Sequence, residues 1–247
     1  MKKNSWQSIL SALVIFVACV MGCSKSATDA PKAGATRNAN NGSANQTASN
    51  TTADIAGNYD LVGTNPSGSP YKGALEVIKR GDVYQFRWNA GKQYDGIGVP
   101  NGNVVAVAFT GGSDGKGCGV VNYEQVGDNT LEGKWGYWGV DESGTEKAVR
   151  TTGPGLAGNY DATGKNPDGS AYKATLAVAP AGSGYKFDWS NNSSGFGISR
   201  GSNVSVGIGG ARCAFVAYEI KPDGMLDGIW GGYGTSKTGT EKATKKN

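Results

Sequence analysis

Apolar and polar side chains alternate with a period of two through most of the chain beyond residue 56. Tyr84, Phe86 and Trp88 alternate with Gln85 and Arg87, and Tyr185, Phe187 and Trp189 alternate with Lys186 and Asp188. Such runs predict strands with one aromatic face and one polar face. Leu75 and Val77, with Leu176 and Val178, repeat the pattern one strand earlier, and Val105, Val107 and Phe109 align with Val204, Val206 and Ile208 further on. Pro-Ser-Gly, Pro-Asp-Gly, Asn-Gly and Gly-Asp turn signals separate the runs at hairpin spacing. In the first half this predicts about eight short strands, beginning near Gly57, Tyr71, Val83, Tyr94, Asn103, Cys118, Thr130 and Gly144.

The pattern occurs twice. AGNYDLVGTNPSGSPYKGAL from Ala56 returns as AGNYDATGKNPDGSAYKATL from Ala157. The offset of 101 holds for Trp88 and Trp189 but is 95 for Trp135 and Trp230, so the second copy is six residues shorter, mostly in the loop before Cys213. Loops tolerate such changes. Thr151 to Gly155 reads as a short linker, and a period near 100 residues argues for two complete domains rather than solenoid or propeller units. Eight consecutive antiparallel strands can close on themselves and remove their exposed edges. The expectation is therefore an all-β chain with a small up-and-down barrel over residues 54–150 and another over 151–247. An incompletely closed sandwich is the alternative. In bare architecture such units are similar to avidin or calycin barrels, without a diagnostic motif of either.

Composition supports this reading and narrows the chemistry. The 247 residues include 41 glycines, only 18% are charged, and no helical amphipathic run stands out. Histidine is absent, which removes the commonest general base and transition-metal ligand. No acidic cluster fits a calcium loop and no nucleophile motif is present, so no cofactor and no metal are expected. The net charge of +4 falls to +2 without Lys2 and Lys3, too weak a basic balance to imply nucleic acid.

Those two lysines precede an apolar run from Ile9 to Val20, short for a membrane span but suited to a secretory signal. It ends in Val20-Met21-Gly22-Cys23, which resembles the bacterial lipobox. The resemblance implies a signal peptide over residues 1–22 and lipidation of Cys23 as the first mature residue, with several acyl chains holding the protein at the membrane. Ser24 does not match the Asp that retains lipoproteins at the inner membrane, which implies the outer membrane if the source is Gram-negative. Residues 24–53 contain no aromatic residue and no Ile, Leu or Val. They read as a disordered tether, roughly 30 Å end to end.

Several duplicated residues are candidates for chemistry. Glu124 and Glu219 follow Tyr123 and Tyr218, and Glu146 and Glu241 stand in a repeated Gly-Thr-Glu-Lys. An acid beside a lysine near a strand end is expected to be solvated rather than catalytic. Asp168-Gly169-Ser170 reads as a turn. Cys118 and Cys213 occupy equivalent places and either form a disulfide or remain two thiols; pairing requires a pseudo-two-fold axis close by. Trp88 and Trp189 read as core, and Trp135 and Trp230, in Leu-x-Gly-x-Trp, as structural. Trp138 lies off their parity and has Tyr233 as its counterpart, which makes these two the candidate ligand-binding aromatics.

Tyr59-Asp60, Gly63, Asn65-Pro66, Gly68 and Tyr71, followed by Leu131-x-Gly133-x-Trp135 and Gly144-Thr145-Glu146, resemble small exported bacterial proteins described as fibronectin-binding. The second copy carries the same set from Tyr160-Asp161 to Gly239-Thr240-Glu241. The resemblance implies a non-enzymatic binding module, lipid-anchored in the envelope, that captures an extracellular protein or glycan, with two linked copies adding avidity. The competing expectations are a barrel holding a small apolar ligand inside, and a periplasmic enzyme or enzyme inhibitor.

Overall fold

A computed structural model describes residues 54–246. The expected signal peptide, Cys23 and the expected tether up to residue 53 lie outside the described residues. Sixteen strands run in chain order, with one short 3-10 turn at Gly210–Arg212. The first copy supplies β1 (Gly57–Thr64), β2 (Pro70–Arg80), β3 (Val83–Asn89), β4 (Gln93–Asn101), β5 (Val104–Gly111), β6 (Gly119–Val126), β7 (Thr130–Tyr137) and β8 (Gly144–Thr152). The second supplies β9 (Gly158–Lys165), β10 (Ala171–Ala181), β11 (Gly184–Trp189), β12 (Ser194–Arg200), β13 (Asn203–Ile208), β14 (Ala214–Ile220), β15 (Leu226–Gly231) and β16 (Gly239–Lys245).

These strands form two closed, eight-stranded antiparallel barrels. Their composition corrects the expectation of one barrel for residues 54–150 and one for 151–247. Barrel one is β1–β5 closed by β14–β16, and barrel two is β6–β13, an uninterrupted meander. The decisive pairings are β5 with β14, where Val107 faces Val216, and β13 with β6, where Val206 faces Val121. Each barrel thus takes five strands from one copy and three from the other, and barrel two is inserted between β5 and β14 of barrel one. The linker at 151–155 separates no domains: Thr151 and Thr152 end β8, and 153–155 lie in the β8–β9 turn of barrel two. Strand number and alternation are the same in either arrangement, so the hydrophobic pattern alone does not choose between them.

Each barrel is filled along the inward parity. Barrel one buries Tyr59, Leu61, Leu75, Val77, Phe86, Trp88, Val105, Val107 and Tyr218, and barrel two buries the corresponding Tyr160, Ala162, Leu176, Val178, Phe187, Trp189, Val204, Val206 and Tyr123. One end of each is plugged from its own N-terminal side. Tyr59 donates its hydroxyl to the Ile55 carbonyl at 2.7 Å, and Tyr160 does the same to Leu156 at 2.8 Å. The free outward face is mostly polar, as at Asn58, Asp60, Lys72 and Glu76, with Val62, Val126 and Val149 exposed among them.

Outward residues at the junction are the exception. Val83, Ile97, Val99, Ala106 and Ala108 of barrel one pack with Val120 of barrel two, and Phe196 and Ile198 of barrel two pack with Phe215 and Ala217 of barrel one. Buried Asn122 donates to the carbonyls of Val99 (2.9 Å) and Val104 (3.0 Å), tying β6 to the β4–β5 hairpin. The chain crosses from barrel one to barrel two between β5 and β6 and returns between β13 and β14. Cys118 and Cys213 stand at these two crossings and form a disulfide, with Cα atoms 5.8 Å apart. The fit there is close: a Cβ at Gly209 would lie 2.4 Å from Cys213 Sγ.

Two measurements check this topology. Val62 of β1 lies opposite Lys242 of β16, so Val62→Cys with Lys242→Cys should couple through a short thiol cross-linker, and Val62→Cys with Lys147→Cys should not. One barrel per copy would reverse that outcome. Replacing Cys118 and Cys213 by Ser opens a loop of 95 residues and should lower unfolding stability by about 3–5 kcal/mol in urea titration.

Candidate functional site

Parity along β8 and β16 directs one carboxylate into each barrel. In Gly144-Thr145-Glu146-Lys147-Ala148 the odd positions 145 and 147 are exposed while Gly144, Glu146 and Ala148 are buried, and β16 repeats this with Gly239, Glu241 and Ala243. The expectation of a solvated acid is therefore overturned for Glu146 and Glu241. Their inward neighbours are Ala148 and Ala243, and that shared parity was the signal available in the sequence. Glu124 keeps the solvated reading, being exposed, and Glu219 pairs with Lys221 at 2.8 Å and Arg200 at 3.3 Å near the surface.

The interior carboxylates sit in matching cages. In barrel one Glu241 Oε1 accepts from Trp88 Nε1 at 3.0 Å and from the Tyr218 hydroxyl, while Oε2 accepts from the Tyr71 hydroxyl at 2.6 Å. In barrel two Glu146 Oε1 accepts from Trp189 Nε1 at 3.1 Å and from the Tyr123 hydroxyl, and Oε2 accepts from Tyr172 at 2.8 Å. Each cage draws on both copies. Trp88 and Tyr71 of the first serve Glu241 of the second, and Trp189 and Tyr172 of the second serve Glu146 of the first. Burial, reinforced by the adjacent carboxylate, pushes all four tyrosine hydroxyls well above the usual tyrosine range, so they remain protonated donors.

The cages match, but the space above them differs. In barrel one a cavity of about 160 Å³ opens at the end bounded by Asn65, Ala90 and Tyr94; its walls are Tyr71, Trp88, Tyr94, Phe109 and Trp230, with Glu241 on its lining. The rings meet nearly edge-on: Tyr71 and Trp230 at 76°, Phe109 and Trp230 at 64°, and Tyr94 and Phe109 at 87°. In barrel two, sequence alignment puts Ser193 in place of Tyr94 and Ile208 in place of Phe109. It also puts Tyr137 in place of Gly232. That ring packs edge-on against Trp135 at 5.7 Å, directly over Gly119, where a Cβ would lie 2.4 Å from it. Barrel one thus has Gly232 where barrel two has Tyr137, and a Cβ at Gly232 would meet only Thr235, at 3.9 Å.

No family model, curated protein or solved structure matches this chain.

The residues singled out in the sequence lie elsewhere. Trp138 is half-buried at the junction of the barrels, its N–H donating to the Cys118 carbonyl at 3.0 Å and its ring against Gly115. It lines a groove of about 250 Å³ with Arg80, Gln85 and Ile97. Tyr233 is 47% exposed and leans on Phe196, ring centres 6.1 Å apart. Neither lines the barrel-one mouth. Cys118 and Cys213 join the crossings, and Cys23 is outside the described residues. Asp168 makes the expected turn, accepting from the N–H of Ser170 at 2.9 Å. A further buried carboxylate, Asp95, is raised by burial, accepts two bonds from Gln85 at 3.1 Å and lies 3.6 Å from Arg87; it belongs to the packing of β3 on β4.

Among the described residues no group of three or more Cys, Asp or Glu is placed to hold a metal. The carboxylate cage is a structural hub with one open side. Glu146→Ala should therefore cost about 3 kcal/mol or more, because it leaves the Tyr123 hydroxyl and Trp189 N–H buried without an acceptor. A strand-end solvated acid would cost no more than about 0.5 kcal/mol in the same denaturant titration.

Proposed function

We propose that this chain is a lipid-anchored, non-enzymatic binding module of the bacterial cell envelope, which captures an extracellular protein or glycan by admitting one small group into the mouth of barrel one. The observation that carries this reading is the position of the aromatic cavity. Gly57 at the start of β1 and Lys245 at the end of β16 share one end of barrel one, since Tyr59 pairs with Lys245. The cavity is at the other end, where Thr64 pairs with Thr240. Asp54 and Ile55, the first described residues, lie at the plugged end of barrel one, opposite the mouth. The Cys118–Cys213 disulfide supports export to an oxidising compartment.

The size of the cavity supports a small group rather than an enclosed ligand. At about 160 Å³ it falls short of the roughly 300 Å³ at which sites for drug-sized molecules begin. A free small molecule is the second reading that this volume favours. Avidity from two like sites loses support, because Tyr137 occupies the corresponding space in barrel two.

Cells expressing the full chain should incorporate labelled palmitate, and Cys23→Ser should abolish the label and release the protein from membranes. The full chain should be retained on envelope or matrix extracts, and Gly232→Tyr, which copies the filled mouth of barrel two, should reduce retention about tenfold. A mature form without acyl chains would end the anchoring half of the proposal, and undiminished retention of the Gly232→Tyr variant would end the half that places binding in the mouth.

A further inference from the structure

We infer that the mouth of barrel one binds an organic ammonium group, held between Glu241 and the faces of Tyr71, Trp88, Tyr94, Phe109 and Trp230. This rests on the mouth being the binding site and specifies what enters it. The lining carries one carboxylate, which only accepts, and aromatic faces, whose negative quadrupole attracts cations. A carboxylate has about four acceptor positions, and Glu241 uses two on Oε1 and one on Oε2. One remains on Oε2, the oxygen that also receives Tyr71 from the cavity wall.

No side chain among the described residues supplies a cation to Glu241. Among the described residues none of the ion pairs includes Glu241. Barrel two serves as an internal comparison: Glu146 has the same three donors, so the cage is complete without a guest. The volume decides the size of the guest. An apolar cavity of roughly 150 Å³ takes up benzene, so about 160 Å³ suits a trimethylammonium head or the end of an alkylamine and not a whole sugar ring with its hydroxyl shell. A neutral guest would leave the Glu241 carboxylate without a counter-charge and the aromatic faces without a cation.

Two sources present this chemistry, a choline-type headgroup and a lysine side chain, and the probes separate them. The full chain in detergent micelles free of ammonium groups is titrated with choline, with N-acetyl-lysine amide and with 3,3-dimethylbutan-1-ol, the neutral isostere of choline, following tryptophan fluorescence and calorimetric heat. At least one ammonium probe should bind saturably, about tenfold or more tighter than the neutral isostere; the tighter of the two identifies the source. Gly232→Tyr should abolish this binding and Glu241→Gln should weaken it about tenfold or more. Tyr94→Ser, which copies Ser193 and leaves the cage intact, should weaken it several-fold even where Glu241→Gln fails to fold.

Equal binding of the neutral isostere, binding that survives Gly232→Tyr, or no saturable binding of either ammonium probe would overturn the inference. If Gly232→Tyr abolishes capture from extracts while no ammonium binds, the mouth stands as the site and the ammonium assignment falls. If ammonium binds but capture is unchanged by Gly232→Tyr, the ammonium assignment stands and capture through the mouth falls.

Discussion

The buried carboxylate at the heart of each barrel is the interaction on which the architecture turns. A charged group inside a sheet barrel is costly unless donors surround it, and here three donors converge on each: an indole and two phenols. Each set is split between the two copies, two donors from one and the third donor plus the acid from the other. Closing the sheet by β5 on β14 and by β13 on β6 is what brings the halves of each set together. The same closure leaves the outward faces of β4, β5, β12 and β14 apolar and joined at the junction, so backbone pairing, polar satisfaction and barrel-to-barrel packing all favour one arrangement.

Much of the fold was legible because the period of two is strict. The expected strand starts near Gly57, Val83, Thr130 and Gly144 coincide with those found, and the others lie within one residue. The motifs behind the family resemblance prove to be local packing and turn chemistry. Asn65 and Gly68 close the β1–β2 turn, where the Gly68 N–H donates to the Asn65 carbonyl. Gly133 and Gly228 lie beneath the rings of Tyr123 and Tyr218, and Gly144 and Gly239 beneath Trp135 and Trp230. Partner choice was not legible. β6 can follow β5 around a barrel in either of two ways, through its own copy or through the other, and the inward pattern is the same for both. The one sequence hint was the matched pair Cys118 and Cys213, whose joining demands that equivalent points of the copies meet.

The site was half legible. Trp88 and Trp189 were placed correctly in the core, yet their role as donors to an acid depends on a residue 153 positions away in one barrel and 43 in the other. The place of Trp88 and Trp230 in the cavity wall was not anticipated. Glu146 and Glu241 were misjudged because a neighbouring lysine suggested solvent, whereas in a strand adjacent residues face opposite ways and only positions two apart share surroundings. The mouth of barrel one was invisible to any single-copy reading. The copies differ around it, Tyr94 against Ser193, Phe109 against Ile208 and Gly232 against Tyr137, and these differences matter only once both are placed at the same height above matching cages.

Entry of the chain at one end of barrel one and the opening at the other have a mechanical consequence. A load applied between the Gly57 end and a guest in the mouth runs lengthwise along the strands, so the ladders on both sides of β1 resist together in shear rather than peeling apart bond by bond. Barrel two stands outside that line of force.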